Sequence, residues 1–103
     1  MPSDALQGVA LVTGGGRGIG ASIARELAAA GMRVAVTGRT SEQVHAVADE
    51  LSGLGLVGDV TRADDVEGWV KRTELELGPI DLLVANAGIS GSGRPFLEES
   101  LEE

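Results

Sequence analysis

Thr13, Gly14, Gly16, Arg17, Gly18, Ile19 and Gly20 lie together in the stretch "VTGGGRGIGAS". Glycine lets a backbone turn sharply and approach a ligand closely, because no Cβ stands in the way. Where such a loop opens a helix, free amides and the positive end of the helix dipole stabilise a phosphate or pyrophosphate. The bland reading of a glycine cluster is a flexible turn. What separates the two is context: a buried strand before the loop and an amphipathic helix after it. Both flank this loop.

Further candidates fall at regular intervals along the chain. Arg39 follows a second apolar run, about 20 residues past the glycines, where an acid would accept hydrogen bonds from both ribose hydroxyls of a dinucleotide. The stretch "VTGRTS" has no acid there. A carboxylate would repel a phosphate on the ribose, whereas Arg39 can bind one through charge-assisted hydrogen bonds. Arg17 can reach the same phosphate from the glycine loop. Asp59 and Val60 stand in "GDV", and Asn86, Ala87 and Gly88 form "NAG", each after a further apolar run. Asp59 has a plain alternative as the cap of a turn, and Asn86 is as much a structural residue as a functional one.

The elements that must position these residues alternate. "GVALVT" (8–13), "RVAVTG" (33–38), "GLVGDV" (55–60) and "IDLLVANAG" (80–88) are short continuous apolar runs, the pattern of strands buried on both faces. Leu82, Leu83, Val84 and Ala85 read as buried on both faces too. Between the runs lie three helices. The first carries Ile23, Ala24, Leu27 and Ala28 at helical spacing and stops at Gly31. The second carries Val44, Val47, Ala48 and Leu51 between Ser41 as N-cap and Gly53 as C-cap. The third, capped by Thr61, carries Val66, Trp69, Val70, Thr73 and Leu77 and stops at Gly78-Pro79. Trp69 reads as core and His45 as a solvated surface residue. Asp64, Asp65 and Glu67 suit a helix's first turn better than a metal site.

Strand–helix alternation with apolar strands predicts an α/β fold, a parallel sheet with helices on both faces. Short right-handed connections give the strand order 3-2-1-4, half of a doubly wound Rossmann-type sheet, as one unit over residues 1–103. Residues 89–95 are rich in Gly and Ser, a flexible connection. "SLEE" at the end of the chain is a capping box, the signal for starting a helix. A bare fourth strand and an orphaned helix start together predict an incomplete domain.

Composition sets outer limits. The 103 residues carry a formal net charge of −8, and 43% are hydrophobic. That balance argues against nucleic acid or an anionic membrane as partner, since both need a basic face. With no cysteine in the sequence, disulfides and thiolate zinc sites are excluded. No signal peptide or long apolar run is present, so the expected location is cytoplasmic by default.

Thr13-Gly14-x-x-x-Gly18-Ile19-Gly20, Asp59 after the third strand and Asn86-Ala87-Gly88 after the fourth, in that order, resemble the cofactor motifs of the short-chain dehydrogenase/reductase family. Ala85 stands where the family often has a second Asn. The resemblance implies an oxidoreductase that moves hydride between NADP(H) and a small carbonyl or alcohol, and a homo-oligomer when complete. In it Asp59 contacts adenine, and the Asn-Ala-Gly segment stabilises the sheet and lines the cofactor site. Basic residues at Arg17 and Arg39 match members that prefer NADP to NAD.

The family's catalytic Tyr-x-x-x-Lys, Ser and Asn cannot be carried over. The chain has no Tyr, Lys71 lies on the third helix, and Ser90 and Ser92 match no family position. The expectation is therefore the dinucleotide portion of an enzyme, inactive alone and without catalytic residues. A non-catalytic dinucleotide-binding or partner-pairing module is the alternative. A methyltransferase-like nucleoside fold is disfavoured by Gly38-Arg39, because it typically needs an acid for the ribose.

Overall fold

The computed structural model describes residues 7–86. Among them, β1 (Val9–Thr13), α1 (Gly18–Ala29), β2 (Arg33–Gly38), α2 (Ser41–Leu51), β3 (Leu54–Val57), α3 (Ala63–Glu76) and β4 (Ile80–Ala85) alternate without exception. The strand order is β3-β2-β1-β4 and every pair is parallel, as the alternation predicts. Ala87, Gly88, the Gly/Ser-rich stretch and the capping box lie outside the described residues.

Successive side chains of a strand point to opposite faces, so each apolar run feeds two cores. Ala10, Val12, Val34 and Val36 pack with Ala21 and Ala24 of α1 and with Val44, Val47 and Ala48 of α2. Leu11, Ala35 and Leu56 point the other way, onto Trp69 of α3. Each fully buried Leu or Val side chain contributes about 1.5–3 kcal/mol. Trp69 is core, and His45 is exposed, as their positions predict.

The pairing of β1 with β4 is irregular. Val9 is level with Ile80 but Ala10 with Leu82, so Asp81 is one residue too many on β4. Such a bulge puts Ile80 and Leu82 on opposite faces although they are two apart. The Asp81 Oδ2 accepts the Val9 amide at 2.9 Å. Gly8, at φ +104, makes room for that carboxylate, which a Cβ would overlap. Among the described residues nothing pairs with the outer edge of β4. Leu82 and Leu83 are 38% and 60% exposed. Their apolar run predicts burial on both faces, and an edge position denies it.

Gly31 and Gly78, at φ +110 and +118, end α1 and α3 as expected. Three other caps differ. Ser41 is the first residue of α2 rather than its cap; Thr40 holds the cap position with no side-chain bond, and Ser41 Oγ shares a 3.2 Å hydrogen bond with His45 Nδ1. Gly53 does not take the left-handed turn after α2, which falls on Ser52 at φ +53. A Cβ at Gly53 would overlap the Val34 carbonyl oxygen, so glycine serves close approach to β2 there. Thr61 does not cap α3, because Arg62 occupies that position and the Thr61 hydroxyl turns back to Asp59. The third strand also stops short of the expected residue 60. Gly58 donates to the Gly38 carbonyl at 2.9 Å and the chain turns away at Asp59.

Candidate functional site

The residues singled out by type and spacing share one edge of the sheet. Thr13 ends β1, Arg39 follows β2, Asp59 and Val60 follow β3, and Asn86 follows β4. Parallel strands all deliver their C-terminal ends to the same side. Strand order reverses between β1 and β4, and ligands of open α/β sheets bind in the crevice at such a reversal.

The glycine loop meets the helix there. Gly14 and Gly18 have φ of +69 and +60, a conformation that other residues adopt only under strain. Gly20 packs so closely that a Cβ would overlap the Gly14 carbonyl oxygen and come within 2.8 Å of Asn86 Nδ2. Gly16 lies against α2, where a Cβ would be 3.3 Å from Val44. At Gly18 a Cβ would meet nothing within 4 Å. The loop is therefore tight on its inner side and open at Gly18.

α1 begins without help from side chains. Arg17 holds its cap position in an extended conformation and makes no capping bond, and the first turn holds no acid. α2 and α3 each carry acids in their first turn, Glu42 in one and Asp64 and Asp65 in the other. The first amides of a helix need an acceptor, and at α1 that place is open to an anion. Ile19 stands beside the loop with its apolar side chain 73% exposed. These features fit the pyrophosphate of a dinucleotide.

Asp59 sits in a turn that its own carboxylate closes. Oδ1 accepts from the Thr61 amide at 2.9 Å and from the Thr61 hydroxyl at 2.7 Å. These bonds, the hydroxyl's first, hold the Asp59 carboxyl below the usual aspartate range. The positive charges of Arg39 and Arg62 act the same way, against a partial loss of solvation. The turn-capping reading of Asp59 is thus correct, and it leaves Oδ2 outside both bonds. Arg39 is exposed. Val60 packs into the α3 core.

Three supporting residues escape a reading by motif. Gly15 donates its amide to the Thr37 carbonyl at 2.9 Å, and a Cβ on it would press on Val36 at 2.8 Å. Thr61 and Asp65 both bind Asp59, Asp65 Oδ2 accepting the Asp59 amide at 2.8 Å. An Asp followed two residues later by Thr is the one local signal that could have flagged Thr61. Lys71 is exposed on α3, as its sequence position implies. Among the described residues, no group of three or more His, Asp or Glu side chains could hold a metal. No helix among them is long and apolar enough to cross a membrane.

Comparison with known proteins gives the same picture. The family described as short chain dehydrogenase matches residues 8–103. The 3-oxoacyl-acyl-carrier-protein reductase FabG of Escherichia coli (strain K12) is 42% identical over 84 residues, which are 80% of this chain and 34% of that protein. A dehydrogenase/reductase from Sinorhizobium meliloti 1021 superposes with a TM-score of 0.80 at 38% identity, over 85% of this chain and 38% of that one. A blue fluorescent protein from a metagenomic library, solved in complex with NADPH, superposes with a TM-score of 0.74 at 39% identity, over 79% of this chain and 36% of that one. The chain thus spans little more than a third of the proteins it matches here. It belongs to the short chain dehydrogenase family, oxidoreductases built on a nicotinamide-dinucleotide-binding Rossmann fold.

Proposed function

We propose that residues 1–103 form the cofactor-binding portion of an NADP(H)-dependent oxidoreductase acting on a carbonyl or alcohol substrate. The observation that carries this reading is the start of α1. Positive-φ glycines, an uncapped first turn without acids and open space at Gly18 coincide at the switch in strand order. The loop from Thr13 through Gly14, Gly16, Arg17, Gly18, Ile19 and Gly20 would hold the pyrophosphate on backbone amides. Asp59 and Val60 would receive the adenine. Asn86, followed by Ala87 and Gly88, would line the site toward the nicotinamide.

NADP over NAD rests on Arg39. It follows β2 directly, at the place where an acid would take the ribose hydroxyls, and none stands at that position. A charge-assisted Arg–phosphate bond is worth about 1.5–3 kcal/mol, roughly 10- to 150-fold in affinity. The chain's own residues bind and orient; the dinucleotide, when bound, supplies the hydride. The proton that accompanies it needs a positioned acid or base. The family assigns that to a Tyr, and the 103 residues contain none. By this reading the 103 residues alone are inactive, and the family resemblance implies a homo-oligomer for the whole enzyme.

Titration of the chain with NADPH and NADH, before and after Arg39→Asp, tests this. The unmutated chain should favour NADPH by at least about 10-fold, and the variant should reverse the preference. Equal affinities in the unmutated chain would exclude the role given to Arg39. The lack of Tyr also favours a second reading, a non-catalytic dinucleotide-binding or partner-pairing module. Reductase activity appearing when the chain is extended by a segment bearing Tyr-x-x-x-Lys would decide against it.

A further inference from the structure

The turn after β3 is held from outside by one face of α3. Asp65 Oδ2 accepts the Asp59 amide at 2.8 Å. The same oxygen lies 3.0 Å from where a Cβ on Gly58 would stand, so Asp65 rests directly on that glycine. One helical turn further on, the Trp69 ring edge crosses Gly58, and Nε1 donates to the Val57 carbonyl at 3.4 Å. Asp65 and Trp69, four apart on α3, thus clasp three consecutive residues, Val57, Gly58 and Asp59. From the inside, Thr61 binds only Oδ1 of Asp59. With its amide fixed by Asp65 and Oδ1 fixed by Thr61, the Asp59 carboxylate keeps a single direction for Oδ2.

Resting on the dinucleotide reading above, we infer that Asp65 is a positioning residue for adenine recognition, acting through the Asp59 amide without touching the ligand. Oδ2 is an acceptor, so it selects a purine that presents a donor. The 6-amino group of adenine does; the 6-oxo group of hypoxanthine presents an acceptor and is repelled. A carboxylate–amine hydrogen bond is charge-assisted and directional, so its strength depends on how Asp59 is aimed. An acid at this position also suits the positive start of α3, and the Asp59 amide is the partner that its Oδ2 finds. An acceptor at that atom is what the Asp59 amide requires.

The test compares binding of NADPH with that of its 6-oxo analogue, reduced nicotinamide hypoxanthine dinucleotide phosphate, by calorimetry on the whole chain. The unmutated protein should prefer NADPH by roughly 10-fold or more. Asp65→Ala should bring that ratio to about one to three, while Asp65→Asn, which keeps an acceptor oxygen, should stay within about threefold of the original. A purely structural role would weaken both ligands together and leave the ratio alone, and that result would overturn the inference. Hydrogen exchange of the Asp59 amide in the unmutated protein needs no folded variant: protection is expected, and exchange at the rate of a free amide would also overturn it. No binding of NADPH by the unmutated chain would remove the dinucleotide reading itself. A preserved preference in Asp65→Ala would remove only the role of Asp65.

Discussion

The Asn86 amide donates to Thr13 at two atoms, the carbonyl oxygen at 3.2 Å and Oγ1 at 3.1 Å. The same hydroxyl donates to the Val84 carbonyl at 3.3 Å. One buried side chain therefore ties the ends of β1 and β4 together where the strand order reverses, directly beneath the glycine loop. Thr13→Val keeps the shape and removes the tie. Asn86 would retain the Thr13 carbonyl, so the loss should be about 1 kcal/mol. Urea unfolding at an unchanged m-value measures it. A loss indistinguishable from zero would mean the hydroxyl contributes nothing to the junction.

Gly18 and Gly20 should fail in different ways. Ala at position 20 would overlap the Gly14 carbonyl, so Gly20→Ala should disrupt the loop and lower stability. Ala at position 18 meets no atom, and its strain is confined to a left-handed φ, worth about 1–2 kcal/mol. Gly18→Ala should stay folded by circular dichroism yet lose NADPH affinity, because its methyl group enters the space given to the pyrophosphate. Undiminished affinity in folded Gly18→Ala would move the phosphate elsewhere.

Asp59 should titrate below the usual aspartate range, because Thr61 hydrogen bonds stabilise its charged form. A carboxyl whose folded pKa is depressed stabilises the fold above its unfolded pKa. That contribution disappears as pH falls through the folded value. The Asx turn should therefore persist at neutral pH and open only in acid. Carboxyl-carbon NMR follows the titration, and Thr61→Val should move the midpoint upward. An unchanged midpoint in that variant would assign the depression to the Thr61 backbone amide, which the variant keeps, and to the arginines.

Ser52 carries a left-handed turn at φ +53 that glycine would adopt without strain. Ser52→Gly should raise stability by about 0.5–1 kcal/mol, the relief being partly offset by a more flexible unfolded chain. Since Ser52 ends α2 far along the chain from the loop, NADPH affinity should not change. A thermal melt with and without NADPH reads both quantities.

The path of the chain is legible in the sequence because buried parallel strands and amphipathic helices have different periods. β2 begins and ends where the apolar run does, and the order β3-β2-β1-β4 follows from the alternation. Local signals mislead where tertiary contact competes with them. Gly53 looks like a helix stop, but its missing Cβ serves the approach to Val34, and the turn falls to Ser52. Thr61 looks like a cap, but its hydroxyl finds the nearer Asp59 carboxylate. The motifs pick out Asp59 and Asn86, and both stand just past the C-terminal ends of strands, β3 and β4. Asp65 is invisible to them, because its partner is reached only once α3 folds back over the turn.

The extra residue at Asp81 separates the two ends of the sheet in their tolerance of length. From Ala10 and Leu82 onward the pairing of β1 with β4 runs unbroken to Thr13 and Ala85. A chain one residue shorter at Asp81 would lose the carboxylate on Val9 and still bring Asn86 to Thr13. Insertions and deletions in the connection from α3 can thus be absorbed at the edge remote from the glycine loop. At the opposite edge, the hydrogen bond that the Asn86 amide shares between two Thr13 oxygens and the closeness of Gly20 leave no slack, so one residue gained or lost there would displace Asn86 from the loop.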